Sequence, residues 1–397
     1  MRVGFLFNHD QIHQVAHSLP IALALAQGGF DGDILVATTN ERIRREVLRL
    51  SGHEIGKRIT HVDLGLRTRS QILSGVLESL VPSRKLLIYG DNLDFFRSLD
   101  VLVVAEKTSL ALKSLYGLKN LKIIHTRHGA GDRAIGFDKA SAGFDHVFCS
   151  GPKIRERLIT EAGVPAEKIS IVGYPKFDTV DPSVTVFPVR SRAPVVLYNP
   201  HCSTHLSSWF RHGRQVLDFF LDNPDYQLIF APHVMLFERK FVLTIDKLRI
   251  DRPGHIEERY LRAPNIHIDL GSRASTDMSY TMMADLYLGD VSSQIYEFLR
   301  HPRPCLFLNS HGVDWRYDAN YAHWQAGPVI KSPDELAPGL KHAMDSHECQ
   351  YRATQAKMYA RSFDLTDRPS SQRAAEILAK IAGGTFQTPQ HRPSLSA

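Results

Sequence analysis

Short apolar runs alternate along the chain with amphipathic stretches, and this alternation predicts an α/β fold. In the first half, most of the runs are apolar throughout and rich in β-branched residues. Continuous apolar runs are typical of parallel strands that are covered by helices on both faces. The strands predicted in this half cover residues 3–7, 33–37, 59–64, 86–89, 101–105, 121–124, 146–149 and 169–172.

Helical spacing of apolar residues appears between these runs, for example at residues 42–50 and 154–161. Strand, helix and strand in succession indicate βαβ units and a parallel sheet. The alternation stops near residue 180 and then starts again. Further strands are predicted at residues 195–198, 227–231, 266–270, 286–288, 305–308 and 329–330. We therefore expect two α/β halves of comparable size.

Proline positions mark the junction between the halves. Pro182, Pro188 and Pro194 fall in a stretch with few helix signals, which is typical of an interdomain linker. A last helix is followed by Gly383-Gly384 and a segment rich in Pro, Gln and Ser. The predicted boundaries are a first domain at 1–180, a linker at 181–193, a second domain at 194–365, a C-terminal helix at 366–384 and a flexible tail at 385–397.

Net charge and cysteine usage narrow the class of protein. The formal charge is +6, spread along the chain, which suits anionic small molecules or an anionic membrane surface. Compact nucleic-acid-binding motifs are not found in the sequence, so we expect no nucleic-acid partner. Four widely spaced cysteines without a C-x-x-C pattern favour a reducing cytosol over a disulfide framework.

The N-terminal apolar run ends at Asn8-His9-Asp10, which is too short for a signal peptide. Stretches of the roughly 20 apolar residues that a membrane span requires do not occur in the sequence. We therefore expect a cytoplasmic protein, whose membrane contact would be peripheral, at the inner face of the cell membrane.

Chemically capable residues follow several predicted strands. In open parallel sheets, ligands bind outside the carboxyl ends of the strands. The polar strand ends are His125-Thr126-Arg127-His128-Gly129, Asn199-Pro200-His201, Pro232-His233 and Gly289-Asp290-Val291-Ser292-Ser293.

The segment at 289–299 carries the strongest local pattern. Two serines follow a strand and precede an apolar helical stripe, and serine is a preferred N-cap. Backbone N–H groups at such a helix start, together with the helix dipole, form an anion site. Glu297 lies one turn beyond Ser293 and is suited to accept hydrogen bonds from a ribose. The alternative, which the local pattern alone favours, is an ordinary capped helix with an exposed Glu297.

Histidines give the second set of candidates. His128 precedes small residues and has a side chain that takes a proton near neutral pH, although the same residues also suit a glycine-rich turn. His233 is either a hydrogen-bond donor to a phosphate or a structural residue. His201 and His205 lack a third ligand of convincing spacing, so no metal is expected.

Two further patterns favour structural explanations. His9, His13 and His17 share a face if helical, which predicts a solvated helix face, with the lining of an acceptor site as the alternative. The segment Gly173-Tyr174-Pro175-Lys176-Phe177-Asp178 is interpreted as a structural turn leaving the last strand of the first half.

Taken in order, these motifs resemble those of the CDP-glycerol glycerophosphotransferase family, which is related to teichoic-acid primases and polymerases. The resemblance covers roughly residues 120–382 and includes a helix that contains Arg373. It implies a GT-B fold, with two Rossmann-like parallel-sheet domains facing a central cleft and the C-terminal helix packing back toward the N-terminal domain. Residues 1–180 would then form the acceptor side, and residues 194–365 would bind the donor nucleotide.

The resemblance also implies roles for individual residues. His128 matches the family's catalytic base, and His233 matches a histidine that holds the donor pyrophosphate. The implied donor-binding residues are Gly129, Tyr198, Asn199, Asp290, Ser292, Ser293 and Glu297. Two departures affect the identity of the donor: Val291 replaces an aromatic residue, and His201-Cys202 replace a hydroxyl residue and a basic one.

The expected function is transfer of a glycerophosphate-type group from a CDP-linked donor to an acceptor hydroxyl on a lipid or glycan of the cell envelope. The scheme needs neither a cofactor nor a metal. An inverting nucleotide-sugar glycosyltransferase of the same fold is the main alternative. A nucleotide-sugar epimerase and a non-catalytic binding protein are further alternatives, both resting on analogy of fold.

Overall fold

The computed structural model describes residues 1–9, 11–68, 70, 83–127, 129–180, 192–238, 242–244 and 249–387. The chain divides into two compact units. The first unit consists of Met1–Gly129, Phe137–Thr179 and Ser362–Ala397. The second unit consists of Ala130–Gly136 and Val180–Arg361.

The first unit is built on a seven-stranded sheet in which every neighbouring pair is parallel. Its strands are β1 (Arg2–Phe7), β2 (Asp33–Thr38), β3 (Ile59–Asp63), β4 (Val101–Val104), β5 (Lys122–His125), β6 (His146–Cys149) and β7 (Ile169–Ile171). Their spatial order is β3-β2-β1-β4-β5-β6-β7. The order reverses between β1 and β4, as in doubly wound nucleotide-binding sheets.

Helices cover this sheet. Their bounds are Val15–Gln27, Glu41–Ser51, Ser83–Asp91, Leu93–Arg97, Ala111–Ser114, Pro152–Thr160 and Ser370–Ala382. Asn40 shows how a boundary is set, because its side chain caps Glu41–Ser51 by accepting a hydrogen bond from Ile43 N. The helices Val15–Gln27 and Ser370–Ala382 share one apolar core with the strands.

The prediction of a strand at 86–89 is wrong, because these residues lie in the helix Ser83–Asp91. Ile88 and Tyr89 are buried, so the run is apolar because this part of the helix packs into the core. A short apolar run does not distinguish a buried strand from one turn of a buried helix. The remaining strand and helix positions predicted in the first half are confirmed, with bounds that shift by a few residues.

The C-terminal helix begins on a cap supplied by the segment at 173–178. Asp178 accepts hydrogen bonds from the backbone N–H of Ser370 and Ser371. Tyr174 N donates to Ser370 Oγ at 2.9 Å. Gly173 has a φ of +84°, and an added Cβ would lie 2.3 Å from Ser370 Oγ. The segment is therefore a structural turn that anchors the last helix, as its sequence predicts.

The second unit contains a six-stranded sheet, which is also parallel throughout. Its strands are β8 (Val195–Asn199), β9 (Gln227–Phe230), β12 (Ile266–Ile268), β13 (Leu286–Gly289), β14 (Cys305–Leu308) and β15 (Val329–Ile330). Their spatial order is β12-β9-β8-β13-β14-β15. Each of these strands coincides with a predicted one. An antiparallel pair, β10 (Val242–Thr244) with β11 (Arg249–Asp251), was not predicted.

Helices of the second unit pack on both sides of the chain's second sheet. The bounds are Trp209–Asp222, Glu258–Arg262, Ser279–Met283, Gln294–Phe298, Leu336–Ser346 and Arg352–Ser362, with a π-helical turn at His347–Tyr351. Two parallel α/β sheets are thus confirmed. Among the described helices, none is both long enough and apolar enough to cross a membrane.

Three predicted boundaries are corrected. Ala130–Gly136 belongs to the second unit, although its position in the chain placed it in the first. Residues 362–365 belong to the first unit, where Ser150 Oγ donates to Ser362 O. The predicted flexible tail is held at its start, because Gln387 N donates to Gly28 O. Residues 181–191 of the predicted linker and 388–397 of the tail lie outside the described residues.

Candidate functional site

The strand order of the second unit locates its candidate site. The chain enters at β8, adds β9 and β12 on one side and then crosses to add β13, β14 and β15 on the other. The direction in which strands are added therefore switches between β8 and β13, and doubly wound sheets bind nucleotides at the carboxyl edge at such a point. Asn199 and Gly289 are paired at the ends of these two strands. The loops that follow them contain His201, Asp290, Ser292 and Ser293.

Asp290 organises the loop that follows β8. Its side chain is 1 % exposed. One carboxylate oxygen accepts from His201 N and Val291 N, and the other accepts from Ser208 N and Ser208 Oγ. Burial raises the pKa of this carboxyl, while the hydrogen bonds oppose that shift. The prediction of direct donor contact is corrected, because the Asp290 carboxylate is committed to holding the loop at 200–208.

Tyr198 and Asn199 are also internal. Both side chains have zero exposure. The Tyr198 hydroxyl bonds to Ser208 Oγ at 2.9 Å, and Asn199 Nδ2 donates to Ala231 O at 2.6 Å. Tyr287 OH donates to Asn199 Oδ1. Their predicted contact with the donor is corrected too: these side chains tie β8 to its neighbours beneath the site.

The structure separates the two serines at the end of β13. Ser292 is buried, and its hydroxyl bonds to that of Tyr287. Ser293 is exposed and is the N-cap residue of Gln294–Phe298, yet the described structure gives its hydroxyl no capping bond. Within the described residues, the backbone N–H groups of Ser292 and Ser293 have no hydrogen-bond acceptor. The loop therefore presents two N–H donors and one hydroxyl.

The predicted apolar stripe of Ile295, Phe298 and Leu299 is confirmed, because all three side chains are buried. The helix that carries it spans only Gln294–Phe298, so its dipole is small and the donor groups of the loop itself are the relevant feature. Glu297 is 6 % exposed, which rules out the alternative of an exposed glutamate on an ordinary capped helix.

A cluster of basic side chains lies at the same edge of the sheet. Arg133 Nη1 is 3.2 Å from His201 Nε2. A backbone N–H of Ser203 points at His201 Nδ1 at 2.9 Å, and an N–H of Arg133 points at Nε2. A neutral imidazole has only one lone pair, so His201 accepts fully from one of these two donors. The rings of His201 and His233 lie 5.6 Å apart. Basic side chains that converge in this way fit an oxyanion beside them.

Burial keeps these histidines neutral in the absence of a ligand. It lowers the pKa of His233 to about 4, and the charge of Arg133 acts in the same direction. The pKa of His201 lies well below its usual range, first because of burial and then because His233 and Arg133 are close. Met235 N donates a hydrogen bond to His233 Nδ1 at 3.3 Å. The proton of a neutral His233 therefore lies on Nε2, which is a hydrogen-bond donor.

Asp132 fixes the segment that carries Arg133. Its buried carboxylate accepts from Tyr296 OH at 2.6 Å and from His323 N at 3.1 Å. His323 Nδ1 lies 3.0 Å from the same carboxylate. An added Cβ at Gly131 would lie 2.9 Å from Ser293 Cβ, so the segment at 130–136 packs directly on the serine loop.

Sequence reasoning missed Asp132, Arg133 and His323. A signal was present for the first two, because a charged pair directly follows His128-Gly129-Ala130-Gly131 at a strand end. No local signal marks His323, which lies in a short helical segment, Ala319–Ala326, far along the chain.

In the first unit, the predicted base His128 lies outside the described residues. Its neighbours have unusual backbones: Arg127 has a φ of +48° and Gly129 a φ of +110°. A non-glycine residue in the left-handed region is uncommon and often marks a functional site. Burial lowers the pKa of Arg127 to about 10, and its guanidinium lies 4.6 Å from the centre of the Phe137 ring.

The prediction of a solvated face for His9, His13 and His17 is wrong. His9 and His17 are buried, and His17 packs edge-on against Tyr174 with ring centres 5.2 Å apart. His17 and Gly129 line a cavity of only about 10 Å³ at the carboxyl edge of the first sheet. The described part of the chain contains no group of three or more His, Cys, Asp or Glu placed to hold a metal ion.

Comparison with known proteins shows similarity in fold. No protein-family model matches the chain, and no curated protein matches it in sequence. Among solved structures, the wall teichoic acid polymerase TagF is similar with a TM-score of 0.59 and 15% identity, over 96% of this chain and 89% of that one. A TagF variant soaked with CDPG gives a TM-score of 0.59, 16% identity and coverage of 96% and 88%.

A second kind of enzyme has the same fold. The UDP-GlcNAc 2-epimerase from Neisseria meningitidis, bound to UDP-GlcNAc, is similar with a TM-score of 0.56 and 13% identity, over 96% of this chain and 99% of that one. S. aureus MnaA, solved with UDP, gives a TM-score of 0.59, 16% identity and coverage of 96% and 97%. The predicted GT-B fold class, and the resemblance to teichoic-acid polymerases at the level of fold, are confirmed.

Proposed function

We propose that the chain is a nucleotide-dependent transferase whose donor diphosphate binds at the carboxyl edge of the second sheet, between the loops that follow β8 and β13. The observation that carries this proposal is the convergence of Arg133, His201 and His233: Arg133 Nη1 lies 3.2 Å from His201 Nε2, and the two histidine rings lie 5.6 Å apart. A phosphate oxygen beside this cluster would accept charge-assisted hydrogen bonds from the guanidinium.

The other groups at this edge have matching chemistry. The N–H groups and the hydroxyl of the Ser292–Ser293 loop are hydrogen-bond donors, and so is the Nε2 proton of His233. The carboxylates of Asp132 and Asp290 are both occupied by internal donors. Hydrogen-bond donors therefore accompany the Arg133 guanidinium at this edge, as in protein sites that bind phosphate.

The donor that we propose is CDP-linked, with glycerophosphate as the group transferred. The order of motifs from His128 to Glu297 supports it, and so does the similarity in fold to a TagF variant soaked with CDPG. The acceptor is a hydroxyl of a lipid or glycan in cell-envelope synthesis. The excess of positive charge suits an acceptor at an anionic membrane surface, with peripheral contact at the cytoplasmic face.

In the proposed reaction, the acceptor oxygen attacks the phosphorus distal to the nucleoside. The bond from this phosphorus to the bridging oxygen breaks, and CMP leaves with the electron pair. His128 takes the proton of the acceptor hydroxyl. Arg133, His201, His233 and the serine loop stabilise the charge that develops on the departing phosphate.

The test is a transfer assay with CDP-glycerol and a panel of lipid and glycan acceptors, read out as CMP release. We expect CMP only in the presence of a competent acceptor. His128→Ala should abolish transfer and leave CDP affinity unchanged, because the role proposed for His128 is to take the proton of the acceptor hydroxyl and not to bind the diphosphate. CDP-glycerol that stays inert while another nucleotide is released from a sugar donor would refute the choice of donor.

A nucleotide sugar is the second candidate donor, favoured by the similarity in fold to proteins solved with UDP and UDP-GlcNAc. The same phosphate site would serve an inverting glycosyltransferase, which releases a nucleoside diphosphate. It would also serve an epimerase, which turns over a UDP-sugar without an acceptor. A panel of CDP-, UDP- and GDP-linked donors with and without acceptor separates the three reactions.

A further inference from the structure

The contacts of His323 differ from those of every other histidine in the candidate site. Its ring is buried, and both ring nitrogens face oxygen acceptors. Nδ1 lies 3.0 Å from a carboxylate oxygen of Asp132, and Nε2 lies 2.9 Å from the backbone oxygen of Asp290. A neutral imidazole has one donor and one lone pair, so it would turn a lone pair toward one of these oxygens. Only the imidazolium form donates to both.

The acceptors of His323 belong to the two loops that form the proposed phosphate site. Asp132 immediately precedes Arg133. The Asp290 oxygen, which also accepts from Trp324 Nε1 at 2.6 Å, belongs to the peptide that leads into the Ser292–Ser293 loop. Tyr296, in the helix just beyond that loop, donates to Asp132. The buried contact between Asp132 and His323 therefore fixes Arg133 and the serine loop relative to each other.

We propose that Asp132 and His323 are positioning residues, which hold Arg133 and the Ser292–Ser293 loop at the spacing needed for a diphosphate. This inference rests on the proposed function. Neither side chain is required to touch the ligand. Asp132 and His323 act on the ligand through Arg133, because Asp132 anchors the segment that carries the Arg133 side chain.

Asp132→Asn is the matched substitution, because asparagine keeps the shape and an oxygen for Tyr296 OH. Its amide N–H₂ would face Nδ1 and also the backbone N–H of His323, which donates to the same oxygen in the wild-type protein, so the substitution removes the negative charge and one hydrogen bond. We expect a folded variant that binds CDP roughly tenfold more weakly, since a charge-assisted hydrogen bond is about twice as strong as a neutral one. His323→Gln, which removes the contact from the other side, is the second variant if the first one folds poorly.

A double-mutant cycle with Arg133→Gln distinguishes positioning from general destabilisation. Titration calorimetry with CDP and with inorganic pyrophosphate is the measurement. If Asp132 acts through Arg133, the double variant binds no more weakly than Arg133→Gln alone. Losses that multiply would overturn the proposal.

Nitrogen-15 NMR of the histidine rings gives an independent readout. We expect the ring resonances of His323 to shift in Asp132→Asn and to stay as in the wild-type protein in Arg133→Gln. Unchanged His323 resonances in Asp132→Asn would overturn the proposal whatever the ligand. If the wild-type protein binds none of CDP, UDP and pyrophosphate, the proposed function fails, whereas the NMR result tests the Asp132–His323 contact on its own.

Discussion

Arg133 Nη1 lies 3.2 Å from His201 Nε2. The contact is maintained by the structure around it: the segment at 130–136 is anchored by Asp132, and the loop at 200–208 is anchored by Asp290. A guanidinium held at the carboxyl edge of the sheet suits a phosphate oxygen, so we expect Arg133 to contribute a large part of the affinity for a diphosphate.

The first prediction concerns this cation. Arg133→Gln should weaken CDP binding by roughly 10- to 100-fold, which is the loss expected for a hydrogen bond to a charged group. The variant should keep its melting temperature within a few degrees. Isothermal titration calorimetry measures the affinity. Arg214→Gln is the matched control, because Arg214 lies in the same unit on an exposed helix face. Equal effects of the two substitutions would contradict a phosphate contact by Arg133.

The second prediction separates the two serines at the end of β13. Ser293→Ala removes an exposed hydroxyl and should weaken CDP binding several-fold without loss of stability. Ser292→Ala removes a buried hydroxyl that bonds to Tyr287 and should lower the free energy of unfolding by about 1 kcal/mol. The backbone N–H groups remain in both variants, so neither should abolish binding. The prediction fails if Ser292→Ala impairs affinity more than Ser293→Ala does.

Much of the fold follows from the sequence because the strands are apolar on both faces and therefore stand out from their surroundings. Every strand predicted in the second half is present, and only residues 86–89 are assigned to the wrong element in the first. The antiparallel pair β10 and β11 was missed. Assignment of 130–136 to the second unit was not predictable from the pattern, because it depends on contacts with Tyr296 and His323, far along the chain.

The sequence predicts which strands the candidate residues follow, but not what their side chains contact. The rule that ligands bind at carboxyl ends of strands selects the loops that contain His201, His233, Ser292 and Ser293. It does not distinguish a side chain that faces the ligand from one that holds the loop. Tyr198, Asn199 and Asp290 are of the second kind, since their polar atoms bond inside the protein.

The third prediction concerns acid stability. Burial lowers the pKa of His233 to about 4, below the value near 6.5 of an unfolded histidine. As the pH falls from about 6.5 to about 4, the unfolded state takes up a proton that the folded state does not. The free energy of unfolding should then decrease with falling pH, by at most about 1.4 kcal/mol per pH unit for this one group.

Urea unfolding between pH 7.5 and pH 4.5 measures this contribution. His233→Asn should give a shallower decline than the wild-type protein over the same range, because the titrating group is gone. His255→Asn, at an exposed position in the same unit, should decline like the wild type. Parallel curves for the wild-type protein and His233→Asn would show that His233 is not held neutral by burial.

The fourth prediction concerns the anchor of the loop at 200–208. Asp290 accepts from four donors, two on each carboxylate oxygen, and asparagine offers only one oxygen. In Asp290→Asn, the amide N–H₂ must therefore face either the N–H groups of His201 and Val291 or the two donors of Ser208. Buried donors left facing a donor cost about 1–3 kcal/mol each, so we expect a loss of several kcal/mol in the free energy of unfolding.

Asp345→Asn is the control for this substitution, because Asp345 is exposed and its ion pair with Lys341 should contribute little. Since the loop also carries His201, a folded fraction of Asp290→Asn should bind CDP weakly even at low temperature. Denaturant unfolding and calorimetry on the same sample separate the two effects. Wild-type stability in Asp290→Asn would mean that the carboxylate does not hold the loop, and the assignment of Asp290 to a structural role would be wrong.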